Sequence, residues 1–311
     1  MSPADRIPGA RNAGIATFMG LPYSRDLDGI ASAVVGIPYD LGGEAGGRHA
    51  PREIRNVSWT LRPAHGSFNI DVTRDGPAVD YGDVVVHPTD REVTYAAVEE
   101  TIGAIVDGGA VPVAFAGEHS LLLPILTAIS ARTGPVGLIQ VDAHADTQDT
   151  YYGGERHTAG SVIRRCAEAG VIAPERSIQV GTRGPVYSPE DRHHVEELGL
   201  ARLPMDEVDR LGIPATAEAI AERCAGGPVY LTFDMDSVDP AFAPGTGRRE
   251  PGGFTSREAL ALVRALRGLE IVGYDLNEVN PLFEVEGTTC VLAANLAFEF
   301  LALTALRTSG A

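Results

Sequence analysis

The chain has 311 residues, which is enough for one large α/β domain with an ample core. Its apolar fraction of 44% and charged fraction of 22% are typical of a globular enzyme. The formal net charge of −17 argues against nucleic acid and anionic membranes as partners, and it favours cationic small molecules through long-range steering.

The cysteines and the first residues bear on the cellular compartment. Cys166, Cys224 and Cys290 form a sparse, odd set without C-x-x-C spacing, which argues against a disulfide framework and against a thiolate zinc site. Residues 1–18 contain no apolar stretch of the kind found in secretory signals. We expect no apolar run to approach the ~18 residues that span a bilayer. These observations predict a cytoplasmic protein.

Short apolar runs alternate with helical patterns along the chain. Residues 1–28 are rich in Gly, Pro and Arg and are predicted to form an irregular N-terminal arm. The predicted buried strands are 31–38, 111–116, 136–141, 178–181, 229–233 and 271–275. The predicted helices are 91–105, 121–131, 216–224 and 256–266. Thr255 and Glu258 form a capping-box pattern before the last of these helices.

This alternation predicts a fold of class α/β with a mostly parallel sheet and helices on both faces. No linker interrupts the pattern, so we predict one domain over residues 1–311. Ligands of open α/β sheets bind beyond the carboxyl ends of the strands. We therefore looked for reactive side chains directly after the predicted strands.

The first such motif is DAHAD at residues 142–146, which follows the strand 136–141. Side chains at alternate positions of an extended segment point the same way, so Asp142, His144 and Asp146 can converge on one point. Two carboxylates and an imidazole are suited to a metal ion. The alternative is a polar loop with fortuitous acids.

The second motif places Asp234 and Asp236 after the strand 229–233. Carboxylates this close repel each other, and a divalent cation removes that cost. By itself the pair equally fits a turn capped by aspartates. Asp239 precedes Pro240 and is predicted to form a turn rather than to bind metal.

The third motif contributes His119, which follows the strand 111–116 and the flexible Gly117. A lone histidine is more often structural, but three strand ends together make a donor set. The candidate ligands are His119, Asp142, His144, Asp146, Asp234 and Asp236. Four carboxylates balance two divalent ions, and an oxygen-rich set with imidazole suits Mn²⁺ better than a structural zinc site. Two such ions can activate a shared water at neutral pH.

These motifs resemble the ureohydrolase (arginase/agmatinase) family, in its agmatinase-like branch. The family signatures are G-G-D-H-S, D-A-H-x-D and S-F-D-x-D-x-x-D-P. Further resemblance lies at residues 17–22, 36–40, 51–55, 243–247, 250–253 and 275–281. The match extends from about residue 15 to residue 305 and implies a three-layer α/β/α, arginase-like fold with about eight mostly parallel strands.

The resemblance also implies the site and its chemistry, with two Mn²⁺ per subunit or other divalent ions in their place. By position, one ion takes His119, Asp142, Asp146 and Asp234, and the other takes Asp142, His144, Asp234 and Asp236. Asp142 and Asp234 would bridge the ions, Asp146 would hydrogen-bond the shared water, and Glu278 would accept the substrate guanidinium. Attack on the guanidinium carbon would give urea and an amine.

Two departures from the family pattern concern catalysis. Glu118 stands where the family has Asp in G-G-D-H-S, and its extra methylene could shift His119. The motif H-G-T-P-F, whose histidine is the family's proton shuttle, is not intact in ERHTAGSVIR at 155–164. His157 is the histidine in this stretch, so it is the candidate shuttle, with a register ambiguous by a residue or two.

Two further departures concern substrate choice. The family's G-T-G-T-P reads GTGRR here, so Arg248 and Arg249 add two cations that could bind substrate, meet a subunit interface or lie on the surface. The loop 42–48 is shorter than its family counterpart. No arginase-type Asn-x-Ser contact follows Asp146, which disfavours L-arginine. Agmatine, a guanidino acid or a specialised guanidino metabolite stay open, and the arginines favour a carboxylate.

Three expectations complete the sequence-based interpretation. The partner is a cationic guanidino small molecule, and the family resemblance suggests a homotrimer or homohexamer. One alternative is hydrolysis of another C–N bond, in a formimino or amide substrate, by the same two-metal core. A second alternative is a metal-binding scaffold without catalysis, although a scaffold has no reason to keep all six ligands.

Overall fold

The computed structural model describes residues 14–309, apart from the side chain of Arg192. The strands are β1 (Ser32–Ile37), β2 (Ala64–His65), β3 (Ile70–Asp71), β4 (Ala78–Asp83), β5 (Val111–Ala116), β6 (Gly137–Val141), β7 (Ile178–Val180), β8 (Ala201–Leu203), β9 (Val229–Asp234) and β10 (Ile271–Asn277). Eight of them form one parallel sheet in the order β4-β1-β5-β10-β9-β6-β7-β8, and β2 pairs with β3 in a small antiparallel ribbon.

Helices cover both faces of the sheet. They are α1 (Ala50–Ser58), α2 (Arg91–Asp107), α3 (Leu122–Thr133), α4 (Val162–Glu168), α5 (His194–Glu197), α6 (Met205–Arg223), α7 (Ser256–Ala265) and α8 (Thr288–Ser309). In one layer α2 packs on α3 and α3 packs on α4, and in the other α1 and α7 pack on α8 while α6 packs on α7. This arrangement confirms the predicted three-layer, arginase-like α/β fold.

The central strand β5 is covered on both faces, which explains why its sequence is a continuous apolar run. Val113 and Phe115 face the layer that contains α8, whereas Ala114 and Ala116 face the layer that contains α2 and α3. All six residues of β5 are buried. A strand covered on both faces has no polar side to display.

Several elements were missing from the sequence prediction or extend beyond it. The edge strands β4 and β8 were not predicted, and α6 begins at Met205 rather than at residue 216. The expectation that no apolar run approaches a membrane span is wrong for α8, which is long and apolar enough by composition. However, 83% of that window is buried inside the protein, as befits a core helix.

The predicted arm at residues 1–28 is described only in part, because residues 1–13 lie outside the described range. Between residues 14 and 28 regular structure is limited to a short 3-10 turn at Phe18–Gly20 and a single β-bridge from Tyr23 to Asp80. Phe18 is fully buried and its ring meets Phe115 edge to face at 5.3 Å. This segment therefore contributes to the core. The single-domain assignment stays a prediction.

Candidate metal centre and substrate cavity

The candidate ligands follow three of four adjacent strands, β5, β10, β9 and β6, at their carboxyl ends. β5 carries His119, β6 carries the aspartates and histidine of 142–146, and β9 carries Asp234 and Asp236. β10 lies between β5 and β9 and ends next to Glu278. The sheet therefore brings together residues that are more than a hundred positions apart in the chain.

Two groups of side chains have the spacing of metal ligands, and they share Asp142. His119, Asp142 and Asp234 form one group, and Asp142, His144 and Asp236 form the other, with ligand atoms within 4.8 Å of one another in each group. The structure thus brings together five of the six predicted ligands.

The sixth predicted ligand, Asp146, lies beside the first group. Its Oδ2 is 2.8 Å from His119 Nδ1, which is also 3.3 Å from Asp142 Oδ2. In the second group, His144 Nδ1 is 2.9 Å from Asp236 Oδ2. Both imidazoles therefore point a ring nitrogen at carboxylate oxygens.

Contacts at Nε2, the ring nitrogen away from the candidate ligands, fix the orientation of His119. Its Nε2 lies 3.0 Å from Thr232 Oγ1, and that hydroxyl donates to Asp275 Oδ1 at 3.0 Å. Because the hydroxyl proton is committed to Asp275, Nε2 must be the donor, and the lone pair stays on Nδ1. Metal-binding histidines are typically held in this way. Nδ1 is thus free to bind a cation.

The electrostatics of the cluster favour cations. Burial, together with the charge of Asp146, raises the pKa of Asp142 to about 7, and burial with the charge of Asp236 raises the pKa of Asp234 well above its usual value. Although burial acts in the opposite direction, Asp236 raises the pKa of His144 to about 10. A cluster that gathers protons in this way carries excess negative charge, which two divalent ions would neutralise. The residues therefore fit a binuclear metal centre.

Backbone strain marks two of the candidate residues. Asp146 and Glu278 adopt the left-handed conformation, with φ of 51° and 57°. This conformation is energetically unfavourable for residues other than glycine, and residues that adopt it are enriched at functional sites. The strain turns both carboxylates toward the same cavity.

Glu278 is buried at the cavity floor. Its Oε1 accepts a hydrogen bond from the His119 backbone N–H at 2.9 Å. Burial, reinforced by the charge of Glu118, raises its pKa to about 8. A cationic group in the cavity would restore its negative charge and gain a strong hydrogen bond.

The departure at Glu118 does not displace His119 from the cluster. The Glu118 carboxylate points away and accepts hydrogen bonds from Ser120 N at 3.1 Å and from Gly42 N at 3.2 Å. The longer side chain therefore ties the loop after β1 to the start of the turn that carries His119.

A cavity of about 870 Å³ lies over the cluster. Asp146, His144 and Glu278 line its floor, and its wall includes the segment Thr158, Ala159 and Gly160. Such a volume is typical of small-molecule sites. The sequence interpretation missed the aromatic part of the wall, Tyr151, Tyr152 and Tyr187. The sequence signal that could have revealed this wall is the pair Tyr151 and Tyr152, just before the stretch 155–164 that departs from the family motif.

The prediction that His157 serves as the shuttle conflicts with its position. His157 lines a separate, smaller cavity with Leu123 and Arg165, and its ring meets Tyr95 edge to face at 6.3 Å. Ala159, two residues further, is the residue that faces the large cavity. A short 3-10 turn begins at Ala159, directly after Thr158, so the chain changes direction between His157 and the part of the wall that faces the large cavity.

Arg248 and Arg249 both line the cavity, as predicted for substrate contacts. Arg248 is paired with Glu44 at 3.1 Å, and it donates from Nη2 to the Tyr152 hydroxyl at 3.2 Å. Arg249 donates from Nε to the Pro244 carbonyl, and its guanidinium lies over the ring of Phe283.

Asp239 behaves as predicted, as a turn-former. Its carboxylate accepts hydrogen bonds from Ala241 N at 2.9 Å and Gly252 N at 2.7 Å. The predicted capping box is also present, with Glu258 N donating to the Thr255 hydroxyl.

Carboxylates and imidazoles paired at the floor of a cavity, beside a buried glutamate, define a binuclear metal hydrolase that binds a cationic substrate. The model of the arginase family matches residues 30–303. The chain is 41% identical over 308 residues to the guanidinopropionase of Pseudomonas aeruginosa, covering 97% of this chain and 96% of that protein. It is 37% identical to the mitochondrial agmatinase of Gallus gallus, covering 94% and 86%.

A solved structure agrees with these relatives. Proclavaminate amidino hydrolase from Streptomyces clavuligerus superposes with a TM-score of 0.90 at 33% identity, covering 96% of this chain and 99% of that one. The chain therefore belongs to the arginase family. It is a hydrolase that cleaves the guanidino group of a small molecule to release urea at a binuclear divalent metal centre.

The position of His157 leads to a prediction. Replacing His157 by alanine is expected to leave kcat and KM for urea release within about twofold, because its side chain faces the smaller cavity. Steady-state kinetics of purified enzyme, with thermal unfolding to confirm the fold, provide the measurement. A loss of a hundredfold in kcat would show that His157 reaches the substrate.

Proposed function

We propose that this enzyme is a di-manganese guanidino-acid amidinohydrolase that converts a guanidino acid and water to urea and an amino acid. The observation that carries the proposal is the buried Glu278 beside the paired ligand groups, in a cavity whose rim carries two arginines. An oxygen-rich donor set with two imidazoles supports manganese.

The proposed ligand sets extend the two observed groups by Asp146 in the first and Asp234 in the second. One ion would be held by His119, Asp142, Asp146 and Asp234, and the other by Asp142, His144, Asp234 and Asp236. Such ions would supply a water of lowered pKa, able to act as a nucleophile at neutral pH.

The protein's own groups bind and orient the substrate. Glu278 accepts hydrogen bonds from the guanidinium and neutralises its charge, which is a strong interaction in a buried site. Asp146, held by its strained backbone, accepts a proton from the attacking water and keeps it directed at the guanidinium carbon. The cavity walls exclude bulk water from these groups.

The choice between substrates rests on the rim. One relative is named for a guanidino acid and another for agmatine, which is a guanidino amine, so these names do not decide. Arg248 and Arg249 place two guanidinium groups at the rim, which can donate hydrogen bonds to a substrate carboxylate but not to a second ammonium. Arg248 is already positioned by Glu44, so its guanidinium is preorganised.

This proposal predicts that kcat/KM for 3-guanidinopropionate and 4-guanidinobutyrate exceeds that for agmatine by at least about tenfold. A tenfold ratio corresponds to the free energy of about one ion pair with the substrate carboxylate. Replacing Arg248 by alanine is expected to raise KM for the acids about tenfold and to leave the agmatine value unchanged. Replacing the exposed Arg257 on α7 is the control.

Urea, ammonia and amine are measured in parallel. A preference for agmatine would contradict the guanidino-acid assignment. No urea from any guanidino compound, with turnover of formimino or amide compounds assayed beside them, would instead favour a formimino or amide substrate.

Two further proposals concern the cellular form. We propose a cytoplasmic homotrimer or homohexamer. The three cysteines are all free and buried, which supports a reducing compartment. Size-exclusion chromatography with light scattering measures the assembly, and a monomeric mass would contradict it.

A further inference from the structure

The ring of Tyr151 covers the wall segment that departs from the family pattern. A Cβ atom built on Gly160 would lie 2.5 Å from the Tyr151 ring and 2.9 Å from its hydroxyl oxygen. Real side chains do not approach so closely, so this position requires glycine for the ring to fit. The Tyr151 hydroxyl therefore lies over Gly160, next to Ala159.

The backbone holds this ring in place. Tyr151 and Glu155 close a tight turn through two hydrogen bonds, Tyr151 N to Glu155 O at 2.8 Å and Glu155 N to Tyr151 O at 2.7 Å. Arg91 anchors the turn by donating to Glu155 Oε1 at 2.7 Å. A tyrosine fixed on a closed turn loses little entropy when it meets a substrate.

The Tyr151 side chain lines the same cavity as the candidate ligands. The Gly160 carbonyl beneath its ring accepts a hydrogen bond at 3.1 Å from Gln148 N, on the loop that follows the DAHAD segment. Tyr151 lines the cavity and forms no side-chain hydrogen bond to another described residue. In contrast, the Tyr152 hydroxyl accepts a hydrogen bond from Arg248.

No histidine other than His144 lines the described part of this cavity, and His144 belongs to the candidate metal cluster. Of the acids at the rim, Glu44 is paired with Arg248 at 3.1 Å, and Glu250 Oε1 lies 3.8 Å from Nε2 of the candidate ligand His144. Yet the reaction needs a proton at the leaving nitrogen, because an alkylamide anion is too basic to depart.

We propose that the Tyr151 hydroxyl is the general acid that protonates the leaving nitrogen. This inference rests on the proposed guanidino hydrolysis. As the bond between the central carbon and the substituted nitrogen breaks, its electron pair stays on nitrogen and takes the Tyr151 proton.

The protons balance with water alone. The hydroxyl added to carbon sheds its proton as it becomes the urea carbonyl. This proton and the one released by the attacking water are the two that must be placed. One regenerates the phenol and the other converts the amine to ammonium.

The test compares Tyr151→Phe with Tyr23→Phe, which removes a hydroxyl from an exposed tyrosine outside the cavity. Urea release is measured with metal-loaded enzyme on the best guanidino substrate. We expect Tyr151→Phe to lower kcat by about a hundredfold or more with KM within about threefold, since general acids contribute that much. Tyr23→Phe is expected to keep kcat within about twofold.

A binding measurement accompanies the kinetics. Calorimetry with the product amine is expected to give about tenfold weaker binding to Tyr151→Phe, because the amine loses its contact with the phenol oxygen, and unchanged binding of urea. Metal content and thermal unfolding are expected to match the wild type.

The outcomes separate the two proposals. If wild-type enzyme releases no urea from any guanidino compound, the proposed function is wrong. If wild-type enzyme releases urea and Tyr151→Phe keeps its kcat and its amine affinity, the role of Tyr151 alone is overturned.

Discussion

Replacing Asp234 by asparagine is expected to lower urea release by roughly a thousandfold or more, because it removes the carboxylate that serves both proposed ligand sets. Asp234 is buried beside Asp142 and His119, so no water-exposed group can replace it. Metal analysis of the purified variant is expected to show less than two ions per chain.

The matched control is Asp239→Asn, the same chemical change five residues further along. Asp239 accepts only backbone hydrogen bonds in a turn. We expect it to keep both ions and nearly full activity, with a modest loss of stability. Full metal content and activity in Asp234→Asn would contradict the proposed bridging role.

The second large effect is expected for Glu278→Gln. The change removes the charge that would pair with the substrate guanidinium and is expected to lower kcat/KM by about a hundredfold or more, while both ions stay bound. The backbone contact to His119 N can persist, since a glutamine carbonyl also accepts. Steady-state kinetics with metal analysis provide the measurement.

Glu286→Gln is the control for charge, because Glu286 is exposed on the loop that follows. It is expected to behave as wild type. Loss of metal in Glu278→Gln, with activity restored by excess Mn²⁺, would indicate that Glu278 supports the metal centre rather than the substrate.

The six buried central strands were predictable because each is an apolar run between helical patterns. The missed edge strands lack that signal. β4 (AVDYGD) contains Asp80 and Asp83, which pair with Arg55, and β8 (ARL) has an arginine at its centre and only one buried residue. α8 was missed for the opposite reason, since a helix buried on nearly all sides has no polar face and therefore no helical periodicity.

The candidate ligands were predictable because each follows a strand whose direction the sequence reveals. The shuttle assignment to His157 was not, because the segment before it turns back at Tyr151 and Glu155, and the register beyond a turn depends on that geometry. Nor could the sequence show that Glu118 faces Gly42, which depends on the packing of β1 against β5.

The strand order also constrains when the enzyme can acquire its ions. β5 and β6 are separated in the sheet by β10 and β9, which are the last strands in the chain. A chain made only as far as β8 therefore lacks the two strands that lie between β5 and β6. Each candidate ligand group also includes an aspartate that β9 supplies, Asp234 in one and Asp236 in the other. Neither group can therefore be complete until β9 has been made.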